Sequence, residues 1–195
     1  MIVAEVRLWG QQVGAVAEAP DGQITFEYAE AFRRSGVELS PIHVPLSTRG
    51  PVSFPALTPL ESFEGLPGVL ADALPDRFGN AVIRRWFEQQ GRPDAALSPV
   101  QKLLYVGDRA MGALQFRPGH AVDVGSEEAL QLAELVTAAR QVIEGSPDVA
   151  VPEIMRVGAS AGGARAKAVV LWNGARIRSG FAAPEPGDEH WLIKF

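Results

Sequence analysis

Short alternating apolar segments open the chain and restrict its beginning to antiparallel β structure. Ile2 to Trp9 alternate and break at Gly10, a second apolar stretch lies at Val13 to Val16, and Ile24 to Tyr28 resume the alternation after Asp21-Gly22. Asp-Gly is a favoured hairpin turn, and a period of two places successive side chains on opposite faces of a sheet. The sequence therefore predicts a small antiparallel meander over residues 2–28.

Prolines recur through the next segment and exclude a long α-helix there. They lie at Pro41, Pro45, Pro51, Pro55 and Pro59. Proline lacks an amide hydrogen and clashes with the preceding helical turn, so we expect extended segments and turns in this region.

Two helices and a strand are predicted to complete the first part of the chain. From Asp76 to Gln90 the apolar residues lie on one helical face, and Gly91 would end the helix. The apolar residues of this face are Phe78, Val82, Ile83, Trp86 and Phe87. Ser98-Pro99-Val100-Gln101 has the form of a capping box, which predicts a helix to about Tyr105. A strand over residues 112–117 follows.

The second part of the chain is predicted to hold one helix and a sheet. Turn residues gather after Pro118, so we place a boundary near residue 120, between domains 1–120 and 121–195. Ser126 begins a predicted helix that ends at Gly145. Strand-like segments lie at 154–157, 167–172, 175–181 and 190–195, and Asn173-Gly174 predicts a two-residue hairpin turn. The expected fold class is α+β.

Composition narrows the possible partners. A net charge of −5 argues against strong electrostatic binding to nucleic acid or to an anionic membrane. The chain has no cysteine, which excludes disulfides, thiolate metal sites and thiol nucleophiles. No apolar run approaches the roughly 18 residues of a membrane span, and no signal peptide is visible, so we expect a cytoplasmic protein.

A glycine-rich segment, Gly158 to Lys167, is the first candidate site. It contains three glycines, Ser160, Arg165 and Lys167. Glycines let backbone amides approach a phosphate, and cations at the exit of the segment attract it. The segment is neither a Walker A motif nor a dinucleotide fingerprint, and an ordinary glycine-rich hairpin connection is the alternative interpretation.

Lys194 is the second candidate, because it is a single charge on the apolar strand Trp191 to Phe195. A lysine on a later strand that points at nucleotide phosphates is typical of a kinase N-lobe, which is built as strand, glycine-rich loop, strand and strand. The alternative is an edge-strand lysine that extends to water.

Other polar residues have structural explanations. The three histidines, His43, His120 and His190, lack a second ligand at metal-binding spacing and are expected in surface or turn positions. Helix capping explains Asp72 and Asp76. A solvated helix face explains Arg84 and Arg85. We therefore predict no metal site and no histidine-based catalytic site in this chain.

Three segments resemble the HipA-like serine/threonine kinases, the toxin components of bacterial toxin–antitoxin pairs. The first runs from Phe63 to Gly79 around Leu74-Pro75-Asp76, and the second from Gly107 to Phe116 through Met111-Gly112-Ala113-Leu114. The third is the glycine-rich segment together with Trp-Leu-Ile-Lys-Phe at the end of the sequence. The resemblance implies a small N-terminal antiparallel sheet with helices, followed by a helix and the start of a protein-kinase-like N-lobe sheet.

The resemblance also implies roles for particular residues. Ser160 matches an autophosphorylated loop serine, and Lys194 matches the strand lysine that contacts ATP phosphates. The phosphate-binding loop corresponds to Gly162, Gly163, Ala164, Arg165, Ala166 and Lys167. ATP and Mg²⁺ would be the cofactors of the complete kinase, and neither is expected to bind tightly to these residues alone. The implied partners are a helix-turn-helix antitoxin and a protein substrate such as an aminoacyl-tRNA synthetase.

Two departures from the family pattern qualify these expectations. Ala161 and Ala166 stand where family loops usually have proline, so the loop is expected to be less rigid. The catalytic loop and the metal-binding aspartate of a kinase lie beyond the phosphate lysine, so we expect these 195 residues to be an inactive part of a longer kinase or of a complex. The alternatives are a non-enzymatic module that docks a partner or masks a separate kinase, and an unrelated β-rich ligand-binding domain.

Overall fold

A five-stranded antiparallel sheet contains the start of the chain and confirms the predicted meander. Its strands are β1 (Ile2–Leu8), β2 (Gln11–Glu18), β3 (Ile24–Tyr28), β4 (Val52–Ser53) and β5 (Leu114–Arg117), in the spatial order β4-β3-β2-β1-β5.

The computed structural model describes residues 1–89, 91–92, 96–110, 112–118, 167–180 and 182–194. The chain divides into two compact units, Met1–Leu74 with Leu97–His120, and Pro75–Ala96 with Ala121–Phe195. The predicted boundary near residue 120 stays a prediction.

The β1–β2 hairpin combines a tight turn with an irregular register. Trp9 (φ 49°) and Gly10 (φ 81°) form the two-residue connection, and positive φ at both positions suits the twist of a hairpin. The register shifts after Val6, so that Val6 is opposite Gly14 but Arg7 is opposite Gln12. A Cβ at Gly14 would lie 2.1 Å from the Glu27 carbonyl oxygen, so only glycine permits this approach of β2 to β3.

Three short helices accompany this sheet: α1 (Glu30–Arg33), α2 (Gly68–Ala71) and α4 (Pro99–Val106). The proline-rich stretch 41–59 contains turns, β4 and a 3-10 turn at Pro55–Leu57, as predicted. The capping box of α4 is confirmed: Ser98 Oγ accepts the Gln101 N–H at 3.3 Å, and Gln101 Oε1 accepts the Ser98 N–H at 2.9 Å.

The core of the first unit lies between the sheet and these helices. β1 and β2 present alternate side chains to it, and α2 and α4 each contribute an apolar face. Its large, fully buried side chains are Val6, Val13, Val16, Phe32, Leu66, Leu70, Leu103 and Phe116.

The second unit contains the helix α3 (Arg77–Gln89) and a three-stranded sheet. α3 confirms the predicted periodicity, because Phe78, Val82, Ile83 and Phe87 are buried and Trp86 is half buried. The sheet consists of β6 (Lys167–Trp172), β7 (Ile177–Ser179) and β8 (Glu189–Lys194), in the antiparallel order β7-β6-β8. With the first sheet, these elements confirm the α+β fold class.

The β6–β7 connection differs from the predicted two-residue turn. Trp172 is opposite Ile177, so four residues, 173–176, connect the strands. The Asn173 side chain accepts the N–H groups of Ala175 and Arg176 at 3.2 and 3.0 Å, and this local bonding stabilises the longer loop. The predicted helix 126–145 and strand 154–157 lie outside the described residues.

Candidate phosphate-binding site

The strands β6 and β8 bring the two predicted phosphate-binding lysines together. In the antiparallel register, Lys167 at the start of β6 is directly opposite Lys194 at the end of β8. Directly opposed residues of neighbouring strands point to the same face of a sheet, so the two side chains share one face. Lys167 also directly follows the glycine-rich segment.

The two lysines have different surroundings. The Lys167 side chain is only 4% exposed, and its Nζ lies 2.5 Å from Asp76 Oδ2. Lys194 is exposed, and within the described ranges no carboxylate contacts its ammonium. One ammonium is therefore buried against a carboxylate, and the other is accessible to a ligand.

Asp76 contacts Lys167 from the N-terminus of α3. Its Oδ1 accepts the Gly79 N–H at 2.8 Å, which confirms the predicted cap, while Oδ2 accepts from Lys167. A carboxylate in this position also interacts favourably with the positive end of the helix dipole. The Asp76 side chain is 7% exposed, so the carboxylate has both a helix terminus and an ammonium as partners in a largely dry environment.

A second buried ion pair anchors the chain segment that leads into β8. Arg178 on β7 donates to Asp188, and both side chains are 1% exposed. Arg178 Nη1 also donates to the Ala183 carbonyl oxygen at 3.2 Å, and Asp188 Oδ2 accepts the Glu185 N–H at 2.7 Å. Because Asp188 directly precedes β8, these bonds fix the start of the strand that carries Lys194.

The remaining residues of the predicted phosphate-binding loop lie outside the described residues. They are Ser160, Gly162, Gly163, Ala164, Arg165 and Ala166. Their roles in phosphate binding and autophosphorylation stay predictions.

The other polar candidates mostly occupy the expected positions. Asp72 is exposed at the C-terminal end of α2. His190 is exposed on β8, while His43 lies half buried in a turn, where its Nδ1 accepts the Gly68 N–H at 3.0 Å. His120 lies outside the described residues.

Arg85 corrects the prediction of a fully solvated arginine pair. Arg84 is exposed, whereas the Arg85 side chain is only 15% exposed and pairs with Glu88. Arg85 lies next to the apolar face of α3, and a long arginine stem covers such a boundary readily.

Sequence reasoning missed three residues that organise this site. Asp76 was assigned only as a cap, although it also neutralises Lys167, and the pairing of Arg178 with Asp188 was not predicted. The sequence held an indirect signal for such a partner. Lys167 begins the apolar strand-like segment 167–172, and a lysine that is buried at the start of a strand needs an anionic partner. The sequence carried no signal that specified which carboxylate it would be.

The described part of the chain offers neither a metal site nor a membrane span. No group of three or more histidine, aspartate or glutamate side chains there could hold a metal ion. No helix within the same ranges has the length and apolar character required to cross a bilayer.

The fold and site define an α+β protein in which an N-terminal five-stranded sheet is followed by a small sheet with two opposed lysines. The family model described as the HipA N-terminal domain matches residues 4–117, more than half of the chain. The chain therefore belongs to the HipA N-terminal domain family, and the family resemblance is confirmed. No curated protein matches the chain.

Proposed function

We propose that the protein is the N-terminal portion of a HipA-like serine/threonine kinase that, in its complete form, transfers phosphate from ATP to a protein substrate. Its role would be that of the toxin in a toxin–antitoxin pair, controlled by a helix-turn-helix antitoxin, with a substrate such as an aminoacyl-tRNA synthetase. Family membership over residues 4–117 supports the HipA-like assignment. The kinase activity, the partners and the substrate rest on the resemblance.

The observation that carries the proposal is the cross-strand position of Lys194. This exposed ammonium is directly opposite the residue that ends the glycine-rich segment. A flexible, strongly hydrated ammonium beside a glycine-rich segment is suited to phosphate binding. Lys194 would hold the phosphates of ATP, with the backbone of residues 162–166 as a second set of donors.

Magnesium would supply charge neutralisation at the phosphates of the complete kinase. The described residues provide no cluster of acidic ligands for it. Lys194 and Lys167 are cations and cannot be its ligands, so no step here is assigned to the metal.

The test replaces Lys194 by alanine in the full natural protein and measures ATP affinity and phosphotransfer. Loss of one charge-assisted contact should weaken ATP binding by roughly tenfold to a hundredfold. Phosphotransfer should fall further, because the same ammonium would orient the phosphates.

Lys102→Ala is the matched control. It also removes one ammonium, but Lys102 pairs with Glu64 at 2.7 Å within the first unit and has no assigned role in phosphate binding. Its ATP affinity should equal that of the wild type. Equal ATP affinity in the Lys194→Ala variant and the wild type would show that Lys194 is an ordinary edge-strand lysine.

A second candidate function is a non-enzymatic module that docks a partner or masks a separate kinase. The family match over residues 4–117 agrees with this function as well as with the kinase, because the glycine-rich segment lies beyond it. The intact mass of the native protein separates the two: a longer chain supports the kinase, and a mass near 20.9 kDa supports the docking module.

A further inference from the structure

The strongest unexplained feature of the second unit is the buried pair of Asp76 and Lys167. Asp76 lies at the start of α3, and Lys167 begins β6, 91 positions later in the chain. Both side chains are more than nine-tenths buried, and the carboxylate uses one oxygen for Lys167 and the other for the Gly79 amide. The pairing therefore joins a residue inside the family-matched range to a strand outside it.

Burial makes this ion pair difficult to open. Separating the two groups would leave an uncompensated charge in a low-dielectric environment, which costs far more than separating an exposed pair. An incoming phosphate would also have to displace a carboxylate that the helix terminus stabilises. Lys167 is therefore a poor phosphate ligand despite its place at the end of the glycine-rich segment.

Lys194 needs Lys167 to be neutralised. Like charges directly opposite each other on neighbouring strands destabilise a sheet, and these two ammonium groups are so placed. Asp76 neutralises the charge of Lys167, so β6 and β8 can pair in this register. The exposed ammonium of Lys194 stays charged and can bind an anionic ligand.

We propose that Asp76 is a positioning residue of the phosphate site: it retains Lys167 as a structural ammonium and leaves Lys194 as the one lysine of the pair that binds phosphates. This inference rests on the proposed function, because it divides the roles of two residues within the proposed nucleotide site. It differs from the sequence-based prediction that Lys167 contacts ATP directly, and the tests below distinguish the two.

The first test compares Asp76→Asn, Lys167→Met and the double variant of the full natural protein. Asparagine still caps a helix, so Asp76→Asn removes the charge and keeps the cap. The single variant should lower the denaturant midpoint, and the double variant should recover it, because a buried ion pair can be replaced by a neutral pair at little cost.

ATP affinity of the double variant then decides the role of Lys167. We expect it to stay within about twofold of the wild type, while Lys194→Met loses roughly tenfold or more. A double variant that binds ATP as poorly as Lys194→Met would overturn the inference and leave the proposed function intact. If Lys194→Met binds ATP as tightly as the wild type, the proposed function fails instead.

Amine labelling of the folded, full natural protein gives a second measurement that does not require any variant to fold. These 195 residues contain three lysines, and peptide mass spectrometry can follow each of these amines separately. Lys194 should react quickly and be protected by MgATP, whereas Lys167 should react slowly and at the same rate with or without MgATP. MgATP protection of Lys167, or equal labelling of the two lysines, would contradict the inference.

The Asp76→Asn variant separates positioning from a merely structural role. Once the carboxylate charge is gone, Lys167 should label faster than in the wild type, because the ion pair with Asp76 no longer holds its ammonium in the buried position. Adding Lys167→Met should restore the wild-type protection pattern at Lys194. An unchanged Lys167 labelling rate in Asp76→Asn would show that the pair does not control this amine.

Discussion

Tyr28 is one of two tyrosines in the chain, and its hydroxyl joins a strand to a distant turn. The ring is 7% exposed on β3, stacks on Phe32, and its hydroxyl donates to the Val44 carbonyl oxygen at 2.8 Å. Burial, with a smaller effect of Glu38, raises the pKa of Tyr28 to about 12. A single side chain thus makes the stability of the first unit dependent on pH in the alkaline range.

The sign of this dependence follows from the raised pKa. In the folded state the Tyr28 hydroxyl has a pKa of about 12, whereas an ordinary tyrosine has a pKa of 10.0. Stability from this group is therefore fully present below about pH 10 and is lost as the pH rises through 12. We expect the free energy of unfolding of the wild type to fall across that range.

Tyr28→Phe checks this origin by denaturant unfolding at several alkaline pH values. Loss of the hydrogen bond should cost about 1 kcal/mol near neutral pH, and the decline between about pH 10 and 12 should become shallower. Some decline should remain, since burial also raises the pKa of Tyr105. Identical pH profiles for wild type and variant would refute the assignment to Tyr28.

At the scale of elements, α4 shows how a short helix is stabilised at its N-terminus. Ser98 accepts the Gln101 N–H and donates its own hydroxyl to Glu18 Oε2 at 2.5 Å, so the cap also connects α4 to β2. One turn further on, Lys102 contacts both carboxylate oxygens of Glu64, at 2.7 and 2.8 Å. An eight-residue helix is marginal by itself, so these contacts and its buried leucines maintain it.

Ser98→Ala should lower the free energy of unfolding by about 0.5–2 kcal/mol, because the Gln101 amide loses its acceptor and Glu18 loses its hydrogen-bond donor. Ser98→Thr retains a hydroxyl and should lose less. Ser47→Ala is the control, since Ser47 is an exposed turn residue, and its effect should stay within about ±0.5 kcal/mol. Chemical denaturation of the three variants measures the difference. Equal effects of Ser98→Ala and Ser47→Ala would contradict the capping role.

At the scale of the whole molecule, acidic side chains outnumber basic ones, 23 to 18. The net charge is −5, and many described cations contact carboxylates, among them Arg7 with Glu5, Arg33 with Glu30, Arg117 with Asp108 and Arg178 with Asp188. Strong binding to DNA requires unpaired cations that displace counterions from phosphates. The chain is poorly suited to that.

We therefore predict that the purified 195-residue chain does not retard a short random-sequence DNA duplex in an electrophoretic mobility assay at physiological salt. A strongly basic protein serves as the positive control. In the proposed system, affinity for operator DNA would come from the antitoxin. A salt-sensitive shift with the chain alone at micromolar protein would contradict the charge argument.

Local patterns by themselves determined much of the fold. The alternation of residues 2–28, the one-sided apolar stripe of α3 and the capping box of α4 all predicted elements that the structure confirms. Each of these signals comes from neighbours within a few positions in the chain, where backbone geometry links residue type to conformation. Two further local segments, Phe63 to Gly79 and Gly107 to Phe116, carried the part of the family resemblance that lies within the match over residues 4–117.

Only the tertiary structure decided the pairings between distant residues. Nothing in the local pattern specified that β5 pairs with β1, that Lys167 is opposite Lys194, or that Asp76 is the carboxylate that meets Lys167. A buried charge requires some partner of opposite sign, and the sequence contains many. The choice among them depends on which chain segments pack together, and that packing is a property of the whole fold rather than of any one segment.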